Sequence, residues 1–243
     1  MLTSKRKERT IICIYLLTEL ALFTAAKFSE QTCLSPSEGC FKYAAVVVNA
    51  AVAFCFYLKY GCEGTESDAE ASRVGTRANL VAFALFATVV ADFFLTFIST
   101  EEFYLPGIAV FCVVQLIYAA YLKPGRAWFA CVAVLYAAAL IATASAGMLN
   151  VLAALGALDI ALISANTLCA WLPGREGVSL VFRIGITLFL ACDVSILIRS
   201  VSTGALADAS NLLIWTFYAP SQVLITLAYV QASHKEATRL SHK

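Results

Sequence analysis

Eight apolar stretches divide the chain, over residues 10–27, 43–58, 78–98, 107–122, 127–146, 149–172, 178–198 and 211–230. Each is close to the ~20 residues a helix needs to cross hydrocarbon. The runs are continuous, with none of the period-two alternation of a barrel strand, so the expected fold is all-α: a polytopic membrane protein of eight transmembrane helices. Composition agrees, since 61% of the 243 residues are hydrophobic and only 14% are charged, well outside the range of a soluble domain. A single integral membrane domain over residues 1–243 is expected, with no room for a soluble one. The tightest boundary is the fifth, where Gly147, Met148, Leu149 and Asn150 must make the turn.

The basic residues give an independent check on this count. With the N-terminus inside, fourteen of the seventeen Lys and Arg residues fall on cytoplasmic segments, and only Lys27, Lys42 and Arg199 fall outside. One helix more or fewer would invert half the loops and erase that bias, so both termini are expected in the cytoplasm and the chain in the cell membrane. The start of the chain is charged and then apolar, but no small-residue cleavage site follows before Lys27, so it reads as a retained first helix. The longest loop, from Gly61 to Arg77, carries Glu63, Glu66, Asp68 and Glu70 and is expected to be solvated. A net charge of +1 without a long basic run argues against a nucleic-acid partner.

Within the spans, Asp92 and Asp193 are the groups that most need explaining, because an acid in hydrocarbon is expensive and marks a functional site by default. Asp92 lies fourteen residues after Ala78 and Asp193 fifteen after Val178. At 1.5 Å per residue both are about 21–23 Å from the inner end of a ~30 Å core. One layer in the outer half of the bilayer therefore holds both. Glu19 and Asp159 lie near the middles of their spans, and at least one of them is expected at the same cavity. Gln115 and Tyr118, three apart, and Tyr218 and Gln222, four apart, each share a helical face and can line that cavity. Pro220 between the second pair would free backbone carbonyls. Scattered Asn, Ser and Gln are more often interhelical ties than site residues, and Arg183 is placed to snorkel.

The two histidines, at 234 and 242, both lie in the C-terminal tail, which excludes a membrane-buried His metal site and a Ser-His relay. No cofactor signature is present, so neither metal nor cofactor is expected. Of the nine cysteines only Cys33 and Cys40 share an outside loop, where a disulfide and two free thiols are equally open readings.

The chain also resembles itself. Ala91-Asp92-Phe93-Phe94-Leu95 and Cys192-Asp193-Val194-Ser195-Ile196 occupy similar positions one hundred and one residues apart, and the next helix of each half carries a Gln, at 115 and 222. Two four-helix pseudo-repeats, over 10–122 and 127–232, are expected, related by an axis along the membrane normal.

Those same segments carry a family resemblance. The Ala91–Leu95 step, an outside turn to Pro106-Gly107 and the following helix with Phe111, Gln115 and Tyr118 resemble the first signature of the YhhN-type lysoplasmalogenase-like membrane proteins. Gly185-Ile186-Thr187-Leu188-Phe189-Leu190-Ala191-Cys192-Asp193 resembles the second. Phe41-Lys42 is similar to the family's Lys-Pro opening of helix two, and Tyr218 to Gln222 to its last helix, while Gln115 and Gln222 stand where many members have His.

The resemblance implies metal-independent hydrolysis of a lysoplasmalogen's vinyl ether, giving a fatty aldehyde and a glycerophospho-alcohol. That reaction begins with slow protonation at carbon, so it needs an acid that keeps its proton near neutral pH. Burial and a neighbouring like charge both favour the neutral form of a carboxyl group. Asp92 and Asp193 are the expected catalytic pair, with no assignment of which is the acid, since the two titrate as a unit. Lys42, Gln115, Tyr118, Tyr218 and Gln222 are the expected contacts to a lysophospholipid or other lipid, Lys42 meeting the phosphate. The rival reading is a non-enzymatic binder of lipid or solute, or a proton-coupled transporter, using the same acids. Oligomeric state is not legible.

Overall fold

The computed structural model describes residues 2–31, 35–61, 69–97, 101–174 and 177–240, and all of its regular structure is helical. The helices are α1 (Leu2–Gln31), α2 (Ser35–Phe56), α3 (Ala69–Phe97), α4 (Glu101–Leu122), α5 (Arg126–Ser145), α6 (Val151–Trp171), α7 (Leu180–Val201) and α8 (Ala205–Leu240). All eight are long and apolar enough to cross a membrane, as the apolar runs predict. A π-helical turn, Tyr57–Gly61, continues α2.

Several boundaries differ from the sequence reading. The turn between α5 and α6 falls where expected: Gly147 takes a positive φ of 69°, and the Asn150 side chain accepts from the Ala153 N–H to cap α6. The 61–77 segment is less of a loop than expected, since α3 already begins at Ala69; its first turns, Ala-Glu-Ala-Ser-Arg, are largely good helix formers. Residues 62–68 lie outside the described residues, as does Cys33, while Cys40 is a free, exposed thiol. Pro106 and Gly107 sit inside α4 and not in an outside turn. Pro106 is close enough to the helix start that few intrahelical bonds depend on it. Helix α8 extends well beyond the expected 211–230 and continues past Pro220. Arg183 lies against an aromatic, its guanidinium carbon 5.9 Å from the centre of the Trp171 ring.

Six helices close a ring. In order around it, α2 packs on α3, α3 on α4, α4 on α6, α6 on α7, α7 on α8 and α8 back on α2, with α3 and α8 also in direct contact beside α2. Helix α1 lies outside on α2 and lightly on α8, and α5 lies outside on α6 alone among the described residues. Trp128 is the one residue that α5 fully buries among the described residues, Cys131 and Val132 are partly buried against the core, and Phe129, Val134 and Ile141 are exposed on the outer face. Helices α4 and α7 meet through rings: Phe111 with Phe189 at 5.8 Å and Tyr118 with Phe182 at 5.7 Å between centroids.

Glycines set the closest approaches. A Cβ at Gly185 would lie 2.9 Å from Ile225 Cγ1 and 3.2 Å from the Ile225 backbone nitrogen, which draws α7 tightly onto α8. Two buried asparagines add directional ties. Asn49 on α2 accepts from the Tyr15 hydroxyl of α1 (2.6 Å) and the Thr226 hydroxyl of α8 (3.0 Å), and donates to Glu19 (3.0 Å) and to the Ala45 carbonyl (2.8 Å). Asn166 on α6 accepts from the Trp128 indole of α5 (3.0 Å) and donates to the Gln115 carbonyl of α4 (2.8 Å) and its side-chain oxygen (3.3 Å). Each joins an outlying helix to the ring. At the end of the bundle that carries both termini, here the inner end, Glu8 accepts from Lys59 (2.5 Å) and from Tyr60 in the π turn, and pairs with His234 of α8 at 3.2 Å.

Candidate functional site

Helical periodicity places both aspartates on inward faces. On α3 the residues four, seven and eleven before Asp92, namely Thr88, Leu85 and Val81, are buried, while Phe86, Val90, Phe93 and Phe97 are exposed. On α7 the same spacing from Asp193 gives buried Phe189, Ile186 and Phe182, with Leu180, Ile184 and Ile196 exposed. Both acids therefore point into the ring, and each is only 9% exposed.

The packing registers bring them level. Helices α7 and α8 run antiparallel and meet at Gly185 and Ile225. Asp193 is eight residues outward of the first and Tyr218 seven outward of the second, so they differ in depth by only about 1.5 Å. The Tyr218 hydroxyl donates to Asp92 Oδ2, which fixes α3 at the same level. Asp193 is within electrostatic reach of Asp92 and also of Asp159 on α6. The buried thiol of Cys192 is within electrostatic reach of all three acids.

An aromatic wall backs this layer. Phe189 lies 5.6 Å from Tyr218 at 66°, and Trp215, one turn outward on α8, lies 5.8 Å from it. Lys42 of α2 places its ammonium 5.7 Å from the centre of the Trp215 ring. A cation, two aromatic rings and a carboxyl thus follow one another from the outer end of α8 to Asp92.

The other expected lining residues stand deeper. Gln222 is four residues inward of Tyr218, roughly 6 Å, and neither polar atom of its fully buried side chain has a hydrogen-bond partner. Gln115 lies about one turn inward of Cys112, whose thiol bonds the α6 turn that carries Asp159, and the Gln115 carbonyl accepts from Asn166, seven residues inward of Asp159, so Gln115 stands between those two levels. Asn166 grips it, so its main engagement is the tie between α4 and α6, although its Nε2 is buried without a partner. Tyr118 packs on Phe182 with its hydroxyl buried and unpartnered, within electrostatic reach of Tyr218. Of the two mid-span acids, Asp159 joins the layer, and Glu19 is taken up by Asn49 at the α1–α2 contact.

Unpartnered buried polar atoms lie along the ring helices, at the acid layer and in the turns below it: Asp193 Oδ2, Asp159 Oδ1, Trp215 Nε1, Tyr118 Oη, both polar atoms of Gln222 and Gln115 Nε2. Protein interiors satisfy nearly all such groups, so this region is suited to water or to a polar ligand group. Among the described residues no group of three or more His, Cys, Asp or Glu side chains is arranged to hold a metal ion.

Sequence reasoning missed Trp215 and Cys192 as neighbours of the site; of Glu19 and Asp159, at least one of which was expected there, Asp159 is the one in the layer. Trp215 carries a signal in hindsight, since it shares a helical face with Tyr218 and Gln222 at spacings of three and seven.

An all-helical, multi-pass membrane protein whose buried carboxyl groups meet in one layer inside a ring of helices is the class that fold and site define. Residues 38–229 match the YhhN family, and the chain belongs to that family. No curated protein and no solved structure matches the chain.

Proposed function

We propose that this protein is an intramembrane hydrolase of a lipid ether bond, lysoplasmalogenase-like, with Asp92 and Asp193 as its catalytic pair. The observation that carries the reading is the placement of the two acids, from different helices, in one buried layer within electrostatic reach of each other, with the Tyr218 hydroxyl on Asp92. Membership of the YhhN family is consistent with it. The site lies in the outer half of the bilayer of the cell membrane, with both termini in the cytoplasm, and the chain is built as two four-helix halves. The paired packing of α1 on α2 and α5 on α6, and of α3 on α4 and α7 on α8, supports that last point.

The chemistry asks for one carboxylic acid and one carboxylate. The acid gives its proton to the vinyl carbon remote from the ether oxygen, leaving an oxocarbenium ion. The carboxylate steadies that ion and takes a proton as water adds to it. The resulting hemiacetal then gives its hydroxyl proton to the first group and receives one from the second on the departing oxygen. Aldehyde and alcohol leave, and both carboxyl groups return to their starting states. Lys42 meets the lipid phosphate near the outer surface, and the Trp215 and Phe189 rings exclude bulk water from the ion.

The test is aldehyde release from a panel of ether and vinyl ether lysolipids by the purified full chain in lipid nanodiscs. Release that disappears in Asp92→Asn and Asp193→Asn variants of unchanged elution volume supports the proposal. A folded protein that releases no aldehyde, but takes up solute into vesicles in a proton-dependent way, replaces it with the transporter reading.

A further inference from the structure

Asp159 is the one acid in the layer to which the proposed reaction assigns no part. It lies on the face of α6 that also carries Leu162, Ile163, Asn166 and Ala170, all buried, so it points into the ring. Its depth follows from hydrogen bonds between neighbouring helices. Thr167 Oγ1 donates to the Ile186 carbonyl at 3.4 Å, which pins α6 to antiparallel α7. Asp159 is eight residues outward of Thr167 and Asp193 seven outward of Ile186, so the two carboxyls differ in depth by only about 1.5 Å. On the α4 side the Cys112 thiol donates to the Leu155 carbonyl at 3.8 Å, in the turn that carries Asp159. Asp159 therefore stands between α4 and α7, beside the ring-filled gap, at the level of Asp193.

The hydrogen bonds around the three acids are unequal. Asp92 receives the Tyr218 hydroxyl, which suits a carboxylate, an acceptor at both oxygens. Asp193 Oδ2 and Asp159 Oδ1 are buried with no donor to meet them. Two neighbouring carboxylates without donors, in a low-dielectric interior, repel each other strongly, and a proton on one of them removes the repulsion.

We propose that Asp159 is a third acid of this site, a positioning residue that keeps a proton on the Asp159–Asp193 side of the layer while Tyr218 holds Asp92 as the carboxylate. Asp193 is then the group that protonates carbon, and Asp92 the group that receives the proton of water. The assignment of roles rests on the hydrolase reading; the location of the proton does not.

Infrared spectroscopy of the carboxylic C=O stretch, in H2O and D2O, reads that location without any turnover. The full chain in nanodiscs is used with Glu19→Gln as background, because Glu19 is another buried carboxyl. A protonated-carboxyl band is expected in this parent, retained in Asp92→Asn, and absent when Asp159→Asn and Asp193→Asn are combined. Asp159→Asn alone is expected to move the band and to lower kcat roughly tenfold at unchanged KM, less than the about 10²-fold or greater loss for Asp193→Asn. Asp159→Leu supplies the same comparison if the amide variant does not fold. A band that survives the double substitution, or that vanishes in Asp92→Asn, overturns the proposal. The expected bands without aldehyde release would uphold the proton's location and reject the hydrolase. Aldehyde release with the wrong bands would do the reverse.

Discussion

Gly107 and Gly185 offer a test in which the obvious ranking is the wrong one. A Cβ added at Gly107 meets Leu95 Cδ2 at 2.7 Å and Cγ at 2.9 Å, with the nearest backbone atom, the Ala91 carbonyl oxygen, at 3.4 Å. At Gly185 the closest atom is Ile225 Cγ1 at 2.9 Å, followed by the Ile225 backbone nitrogen and Leu224 Cβ, both at 3.2 Å. By shortest distance Gly107→Ala looks worse. What matters is which atoms can yield. The Leu95 side chain is half-buried and can change rotamer, at a cost of about 1 kcal/mol. The α8 backbone cannot turn aside, so Gly185→Ala must push α7 and α8 apart, an overpacking cost of about 1–3 kcal/mol. Alanine's better helix propensity returns up to about 1 kcal/mol at either position. The net expectation is near zero for Gly107→Ala and a loss of about 1 kcal/mol, up to about 2, for Gly185→Ala.

Steric trapping in bicelles measures this directly, and thermal stability by fluorescence-detected gel filtration gives the same order. A second substitution, Leu95→Ala, is expected to relieve whatever strain Gly107→Ala leaves, whereas no side-chain truncation relieves contact with the Ile225 nitrogen. Equal or greater destabilisation by Gly107→Ala, unrelieved by Leu95→Ala, would refute the argument. Because α7 and α8 carry Asp193 and Tyr218, Gly185→Ala is also expected to lower turnover more than its effect on stability explains.

Further outcomes follow from the same geometry. Asn166→Leu breaks ties to Trp128 and Gln115, and a double-mutant cycle with Trp128→Phe is expected to show a coupling of about 0.6 kcal/mol, and up to about 1.7; zero coupling in a denaturation series means the indole bond does not anchor α5. Asp92→Asn and Asp193→Asn should each lower aldehyde release by about 10²-fold or more, with Tyr218→Phe intermediate, and full activity in either Asn variant would remove the pair from the mechanism. Lys42→Gln is expected to raise KM for a phosphate-bearing lysolipid about tenfold with little change in kcat, while a selective fall in kcat would move Lys42 to the chemistry. Glu8→Gln removes the charge of a buried side chain whose partners Lys59 and His234 are themselves half-exposed, and should change stability by about 1 kcal/mol, as read from thermal unfolding.

Much of the acid layer was legible because helical rise converts residue number to depth. Counting inward from the ends of the apolar runs places Asp92 and Asp193 together, and the structure puts Tyr218 at the same level. The count fails for Gln115 and Tyr118, since a shared helical face gives an azimuth and no depth, and they lie one to two turns deeper than the acids. Asn49 and Asn166 were legible as interhelical ties in kind, but their partners Tyr15, Glu19, Thr226 and Trp128 come from helices whose adjacency hydropathy does not encode. Pro106 and Gly107 read as a turn, although near the start of a helix neither residue forbids it.

The sequence alone determined the number of helices and the presence of acids that hydrocarbon does not tolerate without purpose. Both are local consequences of transfer free energy, residue by residue, and need no knowledge of neighbours. The order of helices around the ring is a different kind of fact. That α6 stands beside α7, so that Asp159 joins Asp193 while Glu19 goes to Asn49, depends on close approach at glycines and on a few buried hydrogen bonds. Lipid tails are as apolar as the helices they surround, so hydrophobicity drives each helix into the membrane but does not choose its partners. Packing and polar ties chose them, and with them which carboxyl groups face one another.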